Sequence, residues 1–246
     1  MAVMFKELKF KVHTTQCDFK EYLRAYAALD FFQDLAWLHA EEIGVGYQDT
    51  LKHNLAWVVM YEQFEVVSRL PKFGEAVIVK TWPKERGRLE CLREYEICDE
   101  NNNLMIKGIS NWVLIDIEKR TLSRGSEIKF NGEYLDKTNY PEKQKRKLDL
   151  NDEGIDYSYS YKVLLSDIDT NHHMNNSKYL DIIHNMQDMD SYKLWDKVEI
   201  AFIHEAKIND IINVKRFKVG KQISLYCKWV LIGGYFKTYI YTYGKY

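Results

Sequence analysis

Ser166-Asp-Ile-Asp-Thr-Asn-His-His-Met-Asn-Asn-Ser-Lys-Tyr179, with Tyr161-Lys-Val163 just before it, has an eroded counterpart 151 positions earlier. In that register Phe10-Lys-Val12 falls on Tyr161-Lys-Val163, Asp18 on Asp169, and Leu29-Asp30 on Leu180-Asp181. A second register, 135 positions apart, lays Lys72 on Lys207, Glu75 on Asp210, Val79-Lys80 on Val214-Lys215 and Trp82 on Phe217. Each identity is weak alone, but their order repeats: strand, helix, then strands, twice. The smaller second offset implies a shorter connection after the second helix.

Working outward, Phe5 to Thr14 alternates like a strand. Tyr22 to Ile43 carries Leu29, Phe32, Leu35, Ala36 and Ile43 at helical spacing, with Gly44 as a stop signal. Strands are expected over 57–67, 75–82, 92–98 and 105–117. Asp99-Glu-Asn-Asn-Asn103 reads as a hairpin turn. The pattern dissolves from Lys129 to Asp156, where Lys143-Gln-Lys-Arg-Lys147 marks a basic linker. A second helix is expected from Asn176 to about Tyr192, followed by strands over 198–204, 211–218, 223–232 and 235–243. One long helix before a run of antiparallel strands, twice, predicts an α+β fold with each helix laid on a curved antiparallel sheet. The expected division is 1–140, a linker at 141–156, and 157–246.

A composition of 46% hydrophobic and 29% charged residues is globular and not disordered. A net charge of −1 gives no bulk attraction to nucleic acid or to a membrane. No transmembrane run or leader is read, and Cys17, Cys91, Cys98 and Cys227 have no metal-like spacing. A cytoplasmic protein with free thiols and no cofactor or metal is therefore expected.

The two copies differ where chemistry would sit. Asp169, Asn171 and His173 align with Asp18, Lys20 and Tyr22, and Glu205 aligns with Leu70. Carboxylate, carboxamide and imidazole can together hold an acyl group and move a proton. The chemistry is therefore expected in the second half, with the first half shaping the pocket. If the chain approaches the helix extended, Asp169, Asn171 and His173 share one side and His172 points away. Asn175 and Asn176 are N-cap candidates, and a helix start suits developing negative charge. Glu205 is the candidate base.

Other readings of these residues are weaker. Asp-x-Asp-x-Asn resembles the start of a calcium loop, but His172 occupies the glycine position and Lys178 the closing glutamate position. Asn171-His-His173 lacks the i, i+4 spacing of a helical zinc site. A solvated turn with a helix cap would explain the polar residues but not their loss in the other copy. His39, His53, His184 and His204 read as structural or surface residues.

At these residues the chain resembles the acyl-ACP thioesterases of the plant and bacterial fatty-acid synthesis type, which have a double hotdog fold. The motif Asp-x-Asn-x-His-x-Asn-Asn-x-Lys-Tyr is matched by Asp169, Asn171, His173, Asn175, Asn176, Lys178 and Tyr179, and the family's later glutamate by Glu205. Leu55-Ala-Trp-Val-Val59, Thr81-Trp82 and Ser110-Asn-Trp-Val113 resemble its first-half strands. The resemblance implies a tandem hotdog that hydrolyses fatty acyl thioesters on acyl carrier protein, ending chain elongation. It implies Glu205 as base toward water, Asn171 and His173 positioning water or polarising the carbonyl, and Asp169 orienting Asn171 or contributing electrostatically. The family commonly has a cysteine after the glutamate. Here that residue is Ala206, which favours direct attack by water. The partner implied is acyl carrier protein, docked by Lys143, Lys145, Arg146 and Lys147 or by Lys178 and Lys193, with the chain a monomer or homodimer. An acyl-CoA thioesterase, a β-hydroxyacyl dehydratase or hydratase, and a non-catalytic lipid-binding module are the competing expectations.

Overall fold

The computed structural model describes residues 3–141, 155–202, 204–219, 222–231 and 234–243. Contacts divide the chain into two compact units, Met1–Leu23 with Ala28–Gln144, and Arg24–Ala27 with Lys145–Tyr246. The expected linker, with Lys143, Lys145, Arg146 and Lys147, lies outside the described residues up to 154.

The first unit contains strands β1 (Lys6–Lys11), β2 (Leu55–Val66), β3 (Ala76–Pro83), β4 (Glu90–Cys98), β5 (Leu104–Asp116) and β6 (Thr121–Ser123). They pair antiparallel in the order β1-β3-β4-β5-β2, with β6 on β5. Helix α1 (Ala25–Glu42) lies against one face, and the short α2 (Tyr47–Leu51) follows it. Neither α2 nor β6 is expected from the sequence, because both are too short for either periodicity to emerge.

Spacing explains the packing of α1. Leu29, Phe32, Leu35, Ala36 and His39 recur at three and four residues and are buried. Phe32 stacks on Tyr95 with ring centroids 4.7 Å apart and meets Phe64 edge-on at 5.8 Å. Burying one such ring stabilises the unit by about 1.5–3 kcal/mol. Gly108 lies beneath it, where a Cβ would come within 2.9 Å of Phe32 Cε2. The helix stops as Gly44 predicts. Gly44 has φ +73, its N–H donates to Glu41 C=O, and Val45 N–H donates to Ala40 C=O at 2.9 Å. That pair of bonds is a Schellman ending.

The helix-facing side of this sheet is not wholly apolar. Arg93 Nη1 lies 2.9 Å from His39 Nδ1 and 3.2 Å from Thr81 Oγ1. Burial first, then the charges of Arg93 and Lys6, push the His39 pKa down to about 3. His39 is therefore neutral and accepts from Arg93, a structural role as expected for it. Glu62 sits opposite Ser110 in the β2–β5 register and is 2% exposed. Burial pushes its pKa up to about 8.

The second unit repeats the plan. Strands β7 (Ile155–Lys162), β8 (Lys197–Ala201), β9 (Ile211–Val219), β10 (Gln222–Leu231) and β11 (Gly234–Tyr243) pair antiparallel in the order β8-β11-β10-β9-β7. Helix α3 (Asn176–His184) buries Tyr179, Leu180, Ile182 and Ile183. Tyr159 from β7 donates its hydroxyl to Ile182 C=O at 2.5 Å. This helix is shorter than the expected run to Tyr192. Asn185 is the C-cap, Arg216 of β9 donates to Met186 C=O at 2.6 Å just beyond it, and Asn185, Asp188 and Asp190 are poor helix formers. Residues Met189–Ser191 form only a 3-10 turn. Strand β7 begins earlier than the three residues expected, at Ile155.

Both sequence registers reappear as geometry. Val12 N–H to Glu75 C=O matches Val163 N–H to Asp210 C=O, each at 2.9 Å. Gly74 N–H to Val12 C=O (2.9 Å) matches Asn209 N–H to Val163 C=O (3.0 Å). Gly74 and Asn209 share a left-handed backbone, φ +81 and +70. Each unit is a helix on an antiparallel sheet, the hotdog module, and the chain is a tandem of two.

Candidate active site

The site residues of the second unit come from two short segments. The first starts with the 3-10 turn Leu165–Asp167 and reverses between Ile168 and Met174, which form an isolated antiparallel bridge. Asp169 N–H donates to His173 C=O at 2.8 Å, and His172 N–H to Asp169 C=O at 3.1 Å. His172 takes φ +62 at the tip. This is a tight turn and not the extended approach expected, so strict alternation of side chains does not apply. His172 is nevertheless exposed, while His173 is half-buried.

The second segment supplies Glu205. Met174 N–H donates to Ala206 C=O at 2.7 Å, and Ala206 is fully buried. That backbone bond sets the preceding residues side by side. His173 Nε2 lies 3.0 Å from Glu205 Oε2. The imidazole N–H donates and the carboxylate accepts, which orients the ring and leaves Nδ1 for another partner. The side chains are 25% and 47% exposed, so water and a substrate can reach the pair.

The first unit has the same frame without the groups. Leu23 N–H donates to Pro71 C=O at 2.9 Å, so the neighbouring residues are Tyr22 and Leu70. The Tyr22 ring takes the Lys72 ammonium 4.8 Å from its centroid. Glu21 holds φ +67 where His172 holds +62.

The remaining expected residues divide into separate tasks. Asp169 Oδ1 accepts Asn171 N–H at 2.8 Å. Asp18 Oδ1 does the same for Lys20 N–H at 2.8 Å, so this carboxylate is a turn builder in both units. Asn175 is the N-cap of α3: its Oδ1 accepts Ser177 N–H at 2.9 Å and the Ser177 hydroxyl at 3.0 Å. Asn176 is the first helical residue. Lys178 N–H donates to Asn175 C=O at 3.0 Å, so capping occupies two amides of the first turn. Lys178 Nζ lies 3.9 Å from Asp181, a half-exposed pair at the edge of contact distance and of little energetic weight. Cys227 falls in β10, beyond the described side chains.

Sequence reasoning passed over Asp167 and Tyr161. Asp167 is 5% exposed. Its Oδ2 accepts the Tyr161 hydroxyl at 2.7 Å and Leu164 N–H at 2.8 Å, and its C=O accepts Asn175 N–H at 2.8 Å. Burial, then the bond to Asp167, pushes the Tyr161 phenol up to about 12. The signal was present in the same register, where Phe10 and Gln16 stand opposite Tyr161 and Asp167. Among the described residues no cluster of His, Cys, Asp and Glu could hold a metal ion, and no helix is long and apolar enough to cross a membrane.

Two family models match the chain, the acyl-ACP thioesterase N-terminal domain over residues 3–128 and the C-terminal domain over residues 151–238. A chloroplastic acyl-[acyl-carrier-protein] hydrolase of Cuphea viscosissima is 30% identical over 164 residues, 62% of this chain and 40% of that protein. A chloroplastic palmitoyl-acyl carrier protein thioesterase of Arabidopsis thaliana is 30% identical over 165 residues, covering 62% and 40%. The chain thus spans about two fifths of the length of these curated relatives. Among solved structures, an acyl-ACP thioesterase from Bacteroides thetaiotaomicron superposes with a TM-score of 0.86 at 18% identity, covering 98% of both chains. The 12:0-ACP thioesterase of Umbellularia californica gives 0.84 at 20%, covering 98% of this chain and 97% of its own. At such identities these two speak for the fold. The family models, together spanning both units, establish that the chain belongs to the acyl-ACP thioesterase family.

Proposed function

We propose that this protein hydrolyses fatty acyl thioesters carried on acyl carrier protein, releasing a free fatty acid and the carrier thiol. The observation that carries the reading is the 3.0 Å contact between His173 and Glu205, on a frame that holds Tyr22 and Leu70 in the other unit. In this reading Glu205 accepts a proton from water as the water oxygen attacks the thioester carbonyl. His173 fixes the carboxylate and faces the reacting atoms. Negative charge developing on the carbonyl oxygen is met by the Asn171 carboxamide and by the start of α3, where Asn175 and Asn176 stand. Collapse of the tetrahedral adduct breaks the C–S bond, and the proton held on Glu205 returns to the leaving thiolate. Ala206 cannot act as a nucleophile, which supports direct attack by water and no acyl-enzyme.

With this activity come the 1–140 and 157–246 division of labour, catalysis in the second part, and a cytoplasmic location. The test is thiol release from fatty acyl-ACP, with matched acyl-CoA and 2-enoyl thioesters alongside. Hydrolysis of acyl-ACP is expected, with Glu205→Ala and His173→Ala each abolishing most turnover in folded protein. Faster release from acyl-CoA would reassign the carrier. A hydrated enoyl product without free thiol would contradict hydrolysis.

A further inference from the structure

We propose that Tyr161 and Asp167 form a positioning pair for this reaction, fixing the turn that carries Asn171 and His173 and the start of α3. The inference rests on the hydrolytic reading, and its observation is a second asymmetry between the units.

Asp167 is tied to three parts of the site at once. Its carboxylate Oδ2 receives the Tyr161 hydroxyl of β7 (2.7 Å) and the Leu164 amide at the start of the 3-10 turn (2.8 Å). Its carbonyl receives the amide of Asn175, the cap of α3 (2.8 Å). The reversing turn from Ile168 to Met174 is bracketed by these contacts, and His173 is the last residue before its closing bridge. A strand and a turn are thereby referred to one buried carboxylate, and the helix start to the backbone carbonyl of the same residue. Charge-assisted bonds to a buried group are shorter and stiffer than neutral ones.

The first unit shows what the fold needs without this pair. Gln16 stands for Asp167, and its Oε1 accepts His13 N–H at 2.9 Å, the equivalent of the Leu164 contact. Phe10 stands for Tyr161 and packs on Phe31 with centroids 4.8 Å apart. An amide and a phenyl ring are therefore enough to build the turn. The acid and the phenol occur in the unit that has His173 and Glu205. A buried carboxylate is costly to desolvate, so its presence where an amide suffices for folding points to a positional task.

The test transplants the first unit's solution into the second: Tyr161→Phe, Asp167→Gln, and the double variant Tyr161→Phe/Asp167→Gln. Steady-state hydrolysis of acyl-ACP and amide exchange of residues 168–176 are measured on each. Expected is a fall in kcat of about 10- to 100-fold with KM nearly unchanged, faster exchange in the turn, and a melting temperature close to wild type. The double variant is expected to be no worse than the worse single one, because the pair acts as a unit. Wild-type kcat in Tyr161→Phe and Asp167→Gln, a change in KM alone, or unchanged exchange would each overturn the proposal. Should wild type itself fail to hydrolyse any acyl thioester, the functional reading falls. The exchange data then decide by themselves whether the pair holds the turn.

Discussion

Replacing Glu62 by Gln should make the first unit more stable at mildly alkaline pH. Glu62 is buried on β2 opposite Ser110 of β5, and burial raises its pKa from 4.5 to about 8. Below pH 4.5 folded and unfolded chains both hold the proton. Between pH 4.5 and about 8 only the folded chain holds it, so stability falls as pH rises, by about 1.4 kcal/mol per pH unit. His39 works in the other direction. Its pKa is lowered from 6.5 to about 3, so the unfolded chain takes up a proton below pH 6.5 that the folded chain refuses. From pH 4.5 to 6.5 the two slopes oppose each other. The clean interval is pH 6.5 to 8, where Glu62 alone should remove about 2 kcal/mol. Glu62→Gln keeps the shape and removes the titration. Urea unfolding followed by amide exchange in β2 and β5 at several pH values reports the unit that holds it. The wild-type curve should descend from pH 6.5 to 8 while the variant stays level. Parallel curves would refute the buried neutral carboxyl.

Four substitutions at three positions probe the fold of the two units. Gly108→Ala should destabilise by about 1–3 kcal/mol in chemical denaturation, because the new methyl meets the Phe32 ring at 2.9 Å. Gly74→Ala should cost about 1–2 kcal/mol in thermal unfolding although nothing lies within 4 Å, since φ +81 alone strains an L-residue. Gly74→Asn should cost less, because Asn209 already occupies the equivalent position at φ +70. Asn175→Ala should cost about 1 kcal/mol and speed amide exchange at the start of α3, because the Ser177 amide loses its acceptor.

The fold was legible in the sequence through repetition more than through propensity. Two registers, 151 and 135 positions apart, correspond to matching backbone bonds at Val12 and Val163 and at Leu23 and Met174. The contact between His173 and Glu205 corresponds to a difference between the copies, since Tyr22 and Leu70 stand at the matching positions. The length of α3 was not legible, because the contact that holds the chain just past its C-cap comes from Arg216, thirty residues after Met186. The shape of the 168–174 segment was also hidden. Alternation of polar residues mimics an extended strand, whereas Asp169 folds back onto Asn171 N–H. Tyr161 and Asp167 differ from Phe10 and Gln16 in the same register, but each difference is small by itself and their contact identifies the pair. Glu62 reads as an ordinary strand residue until its burial is known.

Single-turnover hydrolysis of a fatty acyl-ACP by wild type and by Glu205→Gln tests the Glu205–His173 pair most directly. The variant keeps the size and polarity of the side chain but cannot accept a proton from water. A loss of about 100- to 10,000-fold in the chemical step, with acyl-ACP still bound and the fold intact, is the expected result. A rate equal to wild type would contradict it.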